Sequence, residues 1–228
     1  MPTACQFLKM NNLFNSAKYF YLFYLVIFTI VSVFLVHMGK ENAFLVINSH
    51  YNSFFDTLFF YITELGNTWT FIVLIILMLF FKIRYSIIFV YALLINTIFV
   101  QGMKHLVYPE ALRPIKYFEG NYLPHYLEAT DIHAYNSFPS GHTATAFAIA
   151  VLLAYVFRHT GFHFLIFLLA FLVGYSRVYL AQHFAGDVLA GSFIGILSGS
   201  LAIACFDKPE SHLYSKLWLG KSLQELRK

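Results

Sequence analysis

The sequence predicts an all-α protein, a polytopic membrane bundle of about six transmembrane helices with an interfacial helix after the first. Three observations predict it. The 228 residues are 59% hydrophobic and 20% aromatic but only 11% charged, too apolar for a soluble domain of this length. Apolar runs of spanning or near-spanning length recur along the whole chain. No internal repeat, low-complexity run or Pro/Gly/Ser-rich linker divides them, so residues 1–228 read as a single membrane-embedded domain with its core at about 19–206.

The first run, 19–38, lies too far into the chain for a cleaved signal peptide and ends in Met38-Gly39-Lys40, which lacks a small-residue cleavage pattern; it is expected to stay as a helix. Residues 48–67, NSHYNSFFDTLFFYITELGN, mix Asp56 and Glu64 with Phe54, Phe55, Leu58, Phe59, Phe60 and Ile62, the composition of a helix lying in the interface. The second and third spans are expected at 66–81 and 85–103, the fourth and fifth at 143–157 and 162–175, and the sixth at 185–206, where Asp187 is the only charge. Runs two, four and five need flanking residues to complete a span. Residues 207–228 read as a basic tail at the lipid surface.

Six spans place both termini on one side, together with ten of the fifteen Lys and Arg residues; five remain on the other. The positive-inside rule assigns the richer side to the cytoplasm of a plasma (inner) membrane, so the loop 104–139 and the sixth span's start face out. That excess accounts for the net charge of +4 without nucleic acid. Cys5 and Cys205 fall on the cytoplasmic side, where no disulfide is expected.

Ionisable residues at membrane depth point to function. QHFAGD, residues 182–187, spaces His183 and Asp187 four apart, which on a helix puts the carboxylate behind the imidazole. Arg177 lies six residues earlier and would sit about 240° away on a continuous helix, so the chain must turn between them. In FPSGH, residues 138–142, Pro139-Ser140-Gly141 is a helix-start signal whose free N–H groups suit an anion, with His142 on the first turn. Arg113-Pro114, Lys104 and His105 stand at the outer end of the third span. Two arginines, a lysine, a helix N-terminus, two histidines and an aspartate on one membrane face make a phosphoryl-transfer site in which no metal box is evident.

Pro139-Ser140-Gly141-His142 and Ser176-Arg177-x5-His183-x3-Asp187 resemble the second and third signatures of the type 2 phosphatidic acid phosphatase family, membrane lipid phosphatases that share their site with vanadium haloperoxidases. The family's first signature, Lys-x6-Arg-Pro, is departed from: Leu106 stands at that spacing from Arg113, and Lys104, two residues further back, is read as the equivalent. The resemblance implies that His183 attacks phosphorus to give a phosphohistidine, with Asp187 orienting it. His142 would protonate the leaving group and then activate water. Lys104, Arg113, Ser140, Gly141 and Arg177 would hold the phosphoryl oxygens, with no metal and no cofactor. The partners implied are the bilayer and a lipid-linked phosphate or diphosphate: undecaprenyl diphosphate, phosphatidylglycerophosphate, phosphatidate or lipid A, with the loop 115–138 choosing among them.

Blander readings compete. Arg177 and Asp187 could be a structural ion pair. His105, His125, His133 and His142 are spaced by 20, 8 and 9 residues, which matches no compact zinc pattern, and loop or headgroup contact suits them better. Gly191, Gly195 and Gly199 read as a helix-packing stripe. As whole-protein alternatives, an anion or lipid-phosphate transporter would have no purpose for a nucleophile-ready and an acid-ready histidine, and a haloperoxidase-like oxidoreductase would use vanadate in the same pocket.

Overall fold

A computed structural model describes residues 4–128, 133–206 and 221; the expected tail 207–228 otherwise lies outside the described residues. Helices account for the architecture, and no strand occurs among the described residues. The first, α1 (Ala4–Asn48), leaves helical geometry at Ala17 and again at Gly39, where φ is 73°. The glycine, free to adopt positive φ, thus ends the first span where its apolar run ends.

The second run departs from expectation. Two helices, α2 (Ser53–Glu64) and α3 (Thr68–Phe81), meet at a 52° bend, and only together do they have the length and apolarity of a span. Asn52 and Asn67 cap them, accepting from the backbone N–H of Phe55 and Trp69. The elbow bends at Gly66 because that residue packs on the His142 carbonyl: a Cβ there would lie 2.6 Å from the oxygen. The helix expected to lie in the interface, α2, is two-faced, with Phe59 and Thr63 buried and Phe54, Phe55, Leu58 and Tyr61 exposed.

The third run is α4 (Ile83–Gly102), which continues as a π-helical turn, Met103–Val107. After the short α5 (Pro114–Tyr117) come α6 (Gly141–Val156), α7 (Thr160–Tyr179) and α8 (Ala185–Phe206). The helices α4, α7 and α8, with α1 from Ser16, are each long and apolar enough to cross a membrane; α6, at 16 residues, is a shorter apolar helix. Residues Thr143 to Leu152 of α6 are all buried, as expected for a helix apolar all round and enclosed by its neighbours.

The glycine stripe of α8 performs that enclosure. A Cβ at Gly195 would sit 2.2 Å from the Ala144 carbonyl oxygen, and one at Gly191 2.5 Å from that of Ser140. Small residues let the two backbones approach this closely. The contact at Gly191 also ties the packing of α8 to Ser140, the third residue of the FPSGH turn.

Candidate active site

The chain reverses between α7 and α8 by a left-handed residue, Ala181 at φ 53°. The N–H groups of Gln182 and His183 both donate back to the Arg177 carbonyl, at 2.9 and 3.1 Å. This turn supplies the reversal that the Arg177–His183 spacing demands. Phe184 fixes it from below, buried among Phe44, Phe118 and Ala185, with the Lys40 ammonium 4.0 Å from its ring centroid.

His183 does not open the sixth helix, as its spacing to Asp187 suggested; it stays in the turn before α8, which starts at Ala185. Its Nδ1 lies 3.6 Å from Asp187 Oδ2, long for a hydrogen bond. Ser137 fills the gap: its hydroxyl donates to the same carboxylate oxygen at 2.5 Å and lies 3.5 Å from His183 Nδ1. The Phe184 N–H donates to that oxygen too, at 3.0 Å. A carboxylate held by a hydroxyl and a backbone N–H cannot rotate away from the imidazole it faces. Burial pushes the His183 imidazole down to about 3, an effect Asp187 opposes and the charges of Arg113 and Arg177 reinforce. It is a neutral base, 1% exposed.

The second motif starts α6. Ser140 Oγ accepts from the Thr143 N–H at 3.5 Å and is 2.8 Å from Thr143 Oγ1, while the Ser140 N–H donates to the Asp187 carbonyl at 3.0 Å. Ser140 is fully buried, its hydroxyl turned into the helix as an N-cap. The expected phosphate ligand is therefore, by geometry, the brace between the two motifs. Gly141 and His142, the first residues of the helix, carry the N–H groups that point forward from an N-terminus.

These residues converge on a cavity of about 420 Å³ between the α2–α3 elbow, α4, the start of α6 and the turn from α7 to α8. Lys104, Arg113, Gly141, His142, Arg177 and His183 all line it; Ser140 and Asp187 stand behind its wall. Leu106, at the family's lysine spacing, is 84% exposed, whereas Lys104 faces the cavity from the π turn. A π turn inserts a residue into the helix and rotates everything beyond it, a device common at functional sites.

The arginines are held by groups that sequence reasoning did not single out. Gln182 Oε1 accepts from Arg113 Nη1 at 2.9 Å and lies 3.5 Å from Arg177 Nη2; Arg177 Nη1 donates to Thr63 Oγ1 at 2.7 Å. Arg113 Nε donates to the Tyr135 carbonyl at 3.2 Å, and burial lowers that guanidinium from its usual range, with Asp187 working against the effect. Gln182 sits inside the QHFAGD motif and could have been noticed. Thr63 and Ser137 could not, since only tertiary folding brings them there. Among the four histidines weighed as a metal set, only His133 joins His142 at the cavity; His125 instead pairs with Asp56 at 2.8 Å.

Three cations, a helix N-terminus and two imidazoles around one cavity of a helical membrane protein are the groups that can hold a phosphoryl-type anion. Comparison with known proteins gives the family. The PAP2 superfamily profile matches residues 85–210, more than half of the sequence, and the chain belongs to that superfamily. Among its relatives are the lipid A 1-phosphatase of Porphyromonas gingivalis, 47% identical over 30% of this chain and 16% of that protein, and the undecaprenyl-diphosphatase BcrC of Bacillus subtilis, 29% identical over 67% of this chain and 76% of that one. Matches to three relatives span only 16%, 28% and 30% of their lengths. In fold, the chain is similar to the crystal structure of Aquifex aeolicus LpxE, with a TM-score of 0.63 and 29% identity over 72% of this chain and 94% of that one.

Proposed function

We propose that this chain is a metal-independent phosphatase that removes phosphate from a lipid-linked phosphate or diphosphate at the outer face of the plasma membrane. One observation carries the reading: His142 and His183 line one cavity together with Lys104, Arg113 and Arg177. An anion drawn in by the three cations meets a neutral imidazole backed by a carboxylate and a second imidazole at a helix N-terminus. The relatives named for lipid A and for undecaprenyl diphosphate support a lipid-borne phosphoryl group as the substrate class.

In this mechanism the ring nitrogen of His183 remote from Asp187 attacks phosphorus, and the bond from phosphorus to the lipid-side oxygen breaks. His142, protonated once the phosphoryl group's negative charge is bound beside it, donates its proton to that oxygen. Asp187 and Ser137 stabilise the positive charge that grows on the His183 ring. Water then attacks the phosphohistidine, His142 takes its proton, the P–N bond breaks, and inorganic phosphate leaves. Lys104, Arg113, Arg177 and the N–H groups of Gly141 and His142 hold the oxygens throughout.

The test uses detergent-solubilised full chain, a panel of radiolabelled lipid phosphates and diphosphates, and rapid quench. Wild type should release phosphate in the presence of chelator and carry acid-labile, base-stable label. His183→Ala should lose both label and turnover. His142→Ala should slow label formation from lipid substrates about 10²- to 10⁴-fold while sparing label formation from a nitrophenyl phosphate, whose leaving group needs little protonation. Label persisting in His183→Ala, or activity lost in chelator and restored by a divalent ion, would overturn the mechanism.

A further inference from the structure

Two residues that hold the arginines share one property: both acceptors are neutral. The Thr63 hydroxyl and the Gln182 carbonyl orient guanidinium groups without cancelling their charge, whereas a carboxylate in either place would neutralise the cation that an incoming anion needs. Thr63 comes from α2, a helix that carries none of the residues of the two signatures.

The side of α2 that faces α7 is a single stripe. Asp56, Phe59 and Thr63 follow one another at helical spacing, and each meets a partner on α7. The Tyr179 hydroxyl donates to Asp56 Oδ1 at 2.7 Å, Phe59 packs with ring centroids 4.8 Å from Tyr179 and 5.2 Å from Tyr175, and Thr63 receives Arg177. His125 adds a second hold on Asp56 from the outer loop, and its own backbone is tied to α1 through Asn48. The other side of α2, with Phe54, Phe55, Leu58 and Tyr61, is exposed and apolar.

We propose that α2 is the positioning element for Arg177, with Thr63 aiming the guanidinium and the Asp56–Tyr179 contact setting the height of α2 on α7. The inference rests on the reading of Arg177 as a phosphoryl ligand. An arginine side chain has many rotamers, and freezing it on the anion at binding costs affinity. Thr63 removes that cost beforehand by fixing Nη1. The Nε of the same group is buried with no acceptor among the described residues, which leaves it dependent on the Thr63 and Gln182 contacts for its orientation.

The experiment compares Thr63→Val, Thr63→Ser and Tyr179→Phe in the detergent-solubilised full chain. Orthovanadate binding is read from thermal stabilisation, which needs no turnover, and kcat and KM are read on whichever lipid phosphate wild type hydrolyses. Thr63→Val keeps the shape and loses the acceptor, so vanadate affinity should fall roughly 10- to 100-fold, the usual worth of a hydrogen bond to a charged group. Thr63→Ser should restore it to within about 3-fold of wild type. Tyr179→Phe, which leaves Thr63 intact but removes one of the two holds on Asp56, should weaken vanadate by a few-fold. Wild-type vanadate affinity in Thr63→Val, or failure of Ser to rescue, would overturn the proposal; unchanged binding in Tyr179→Phe would remove Asp56 from it. Should wild type bind vanadate yet hydrolyse no lipid phosphate, the phosphatase reading falls while the vanadate arm still judges Thr63.

Discussion

Replacing Gly191 by alanine adds one methyl group where α8 crosses the start of α6. The new Cβ would lie 2.5 Å from the Ser140 carbonyl oxygen and 3.3 Å from both the Ser140 carbonyl carbon and Thr143 Cβ. The first of these is backbone, with no flexible side chain to swing aside, so the helices must separate by about 0.5 Å to reach even a 3.0 Å contact. Overpacking of this kind costs about 1–3 kcal/mol. The strain falls on a residue whose N–H is bonded to the Asp187 carbonyl, so His142 and Asp187 are displaced relative to one another. Because a misplacement of about 1 Å can cost roughly 10²-fold in rate, a displacement about half as large should slow phosphate release by roughly 10-fold. The assay pairs phosphate release with the thermal midpoint in detergent, using Gly186→Ala as the control. Gly186 has nothing within 4 Å of its would-be Cβ, so that variant should match or slightly exceed wild type in stability. A Gly191→Ala protein as active and stable as the control would refute the close-approach argument.

Three further outcomes follow from the geometry. Lys104→Met should weaken vanadate binding at least several-fold while Leu106→Ala leaves it unchanged, since the first lines the cavity and the second is exposed; the reverse order would show the lysine assignment to be mistaken. Because the folded-state His183 titrates near 3 and an unfolded histidine near 6.5, the unfolded state binds its proton first as pH falls. Stability should therefore decline as pH is lowered from about 6.5 toward 3, and His183→Gln should flatten part of that slope; identical slopes in thermal melts would refute the assignment. A cysteine introduced at the exposed Asn121 should react with an impermeant maleimide in intact cells, and labelling only after lysis would reverse the proposed orientation.

Much of this site was legible because its chemistry is local in sequence. FPSGH and QHFAGD each bring their own turn, and the glycines of α8 announced a close helix contact from their spacing alone. What stayed illegible depends on register or on distant partners. Counting back from Arg113 assumes the family's spacing, and here the lysine is offset by two residues, across a π turn at Met103–Val107 and the irregular segment that follows it. The elbow at Gly66 could not be read because its cause, the His142 backbone, lies 76 residues away. The apolar run at 66–81 therefore looked like a span beginning where the chain in fact bends. The i, i+4 spacing of His183 and Asp187 gave the right pair for a helical reason that does not hold, since the turn and Ser137, not a shared helix, bring them together.

The brevity of α6 sets the depth at which the proposed chemistry would happen. Sixteen residues rise about 24 Å, some 6 Å less than a hydrocarbon slab of about 30 Å. The helix that presents His142 is thus mismatched to the bilayer, and because it is encased by other helices, lipid cannot adjust around it. The proposed reading meets that shortfall with the polar cavity at the start of α6, set below the headgroup plane. In the proposed reaction a phosphorylated lipid would not have to be lifted out of its leaflet; its headgroup would descend to the histidines while its tails stayed at their own level in the membrane.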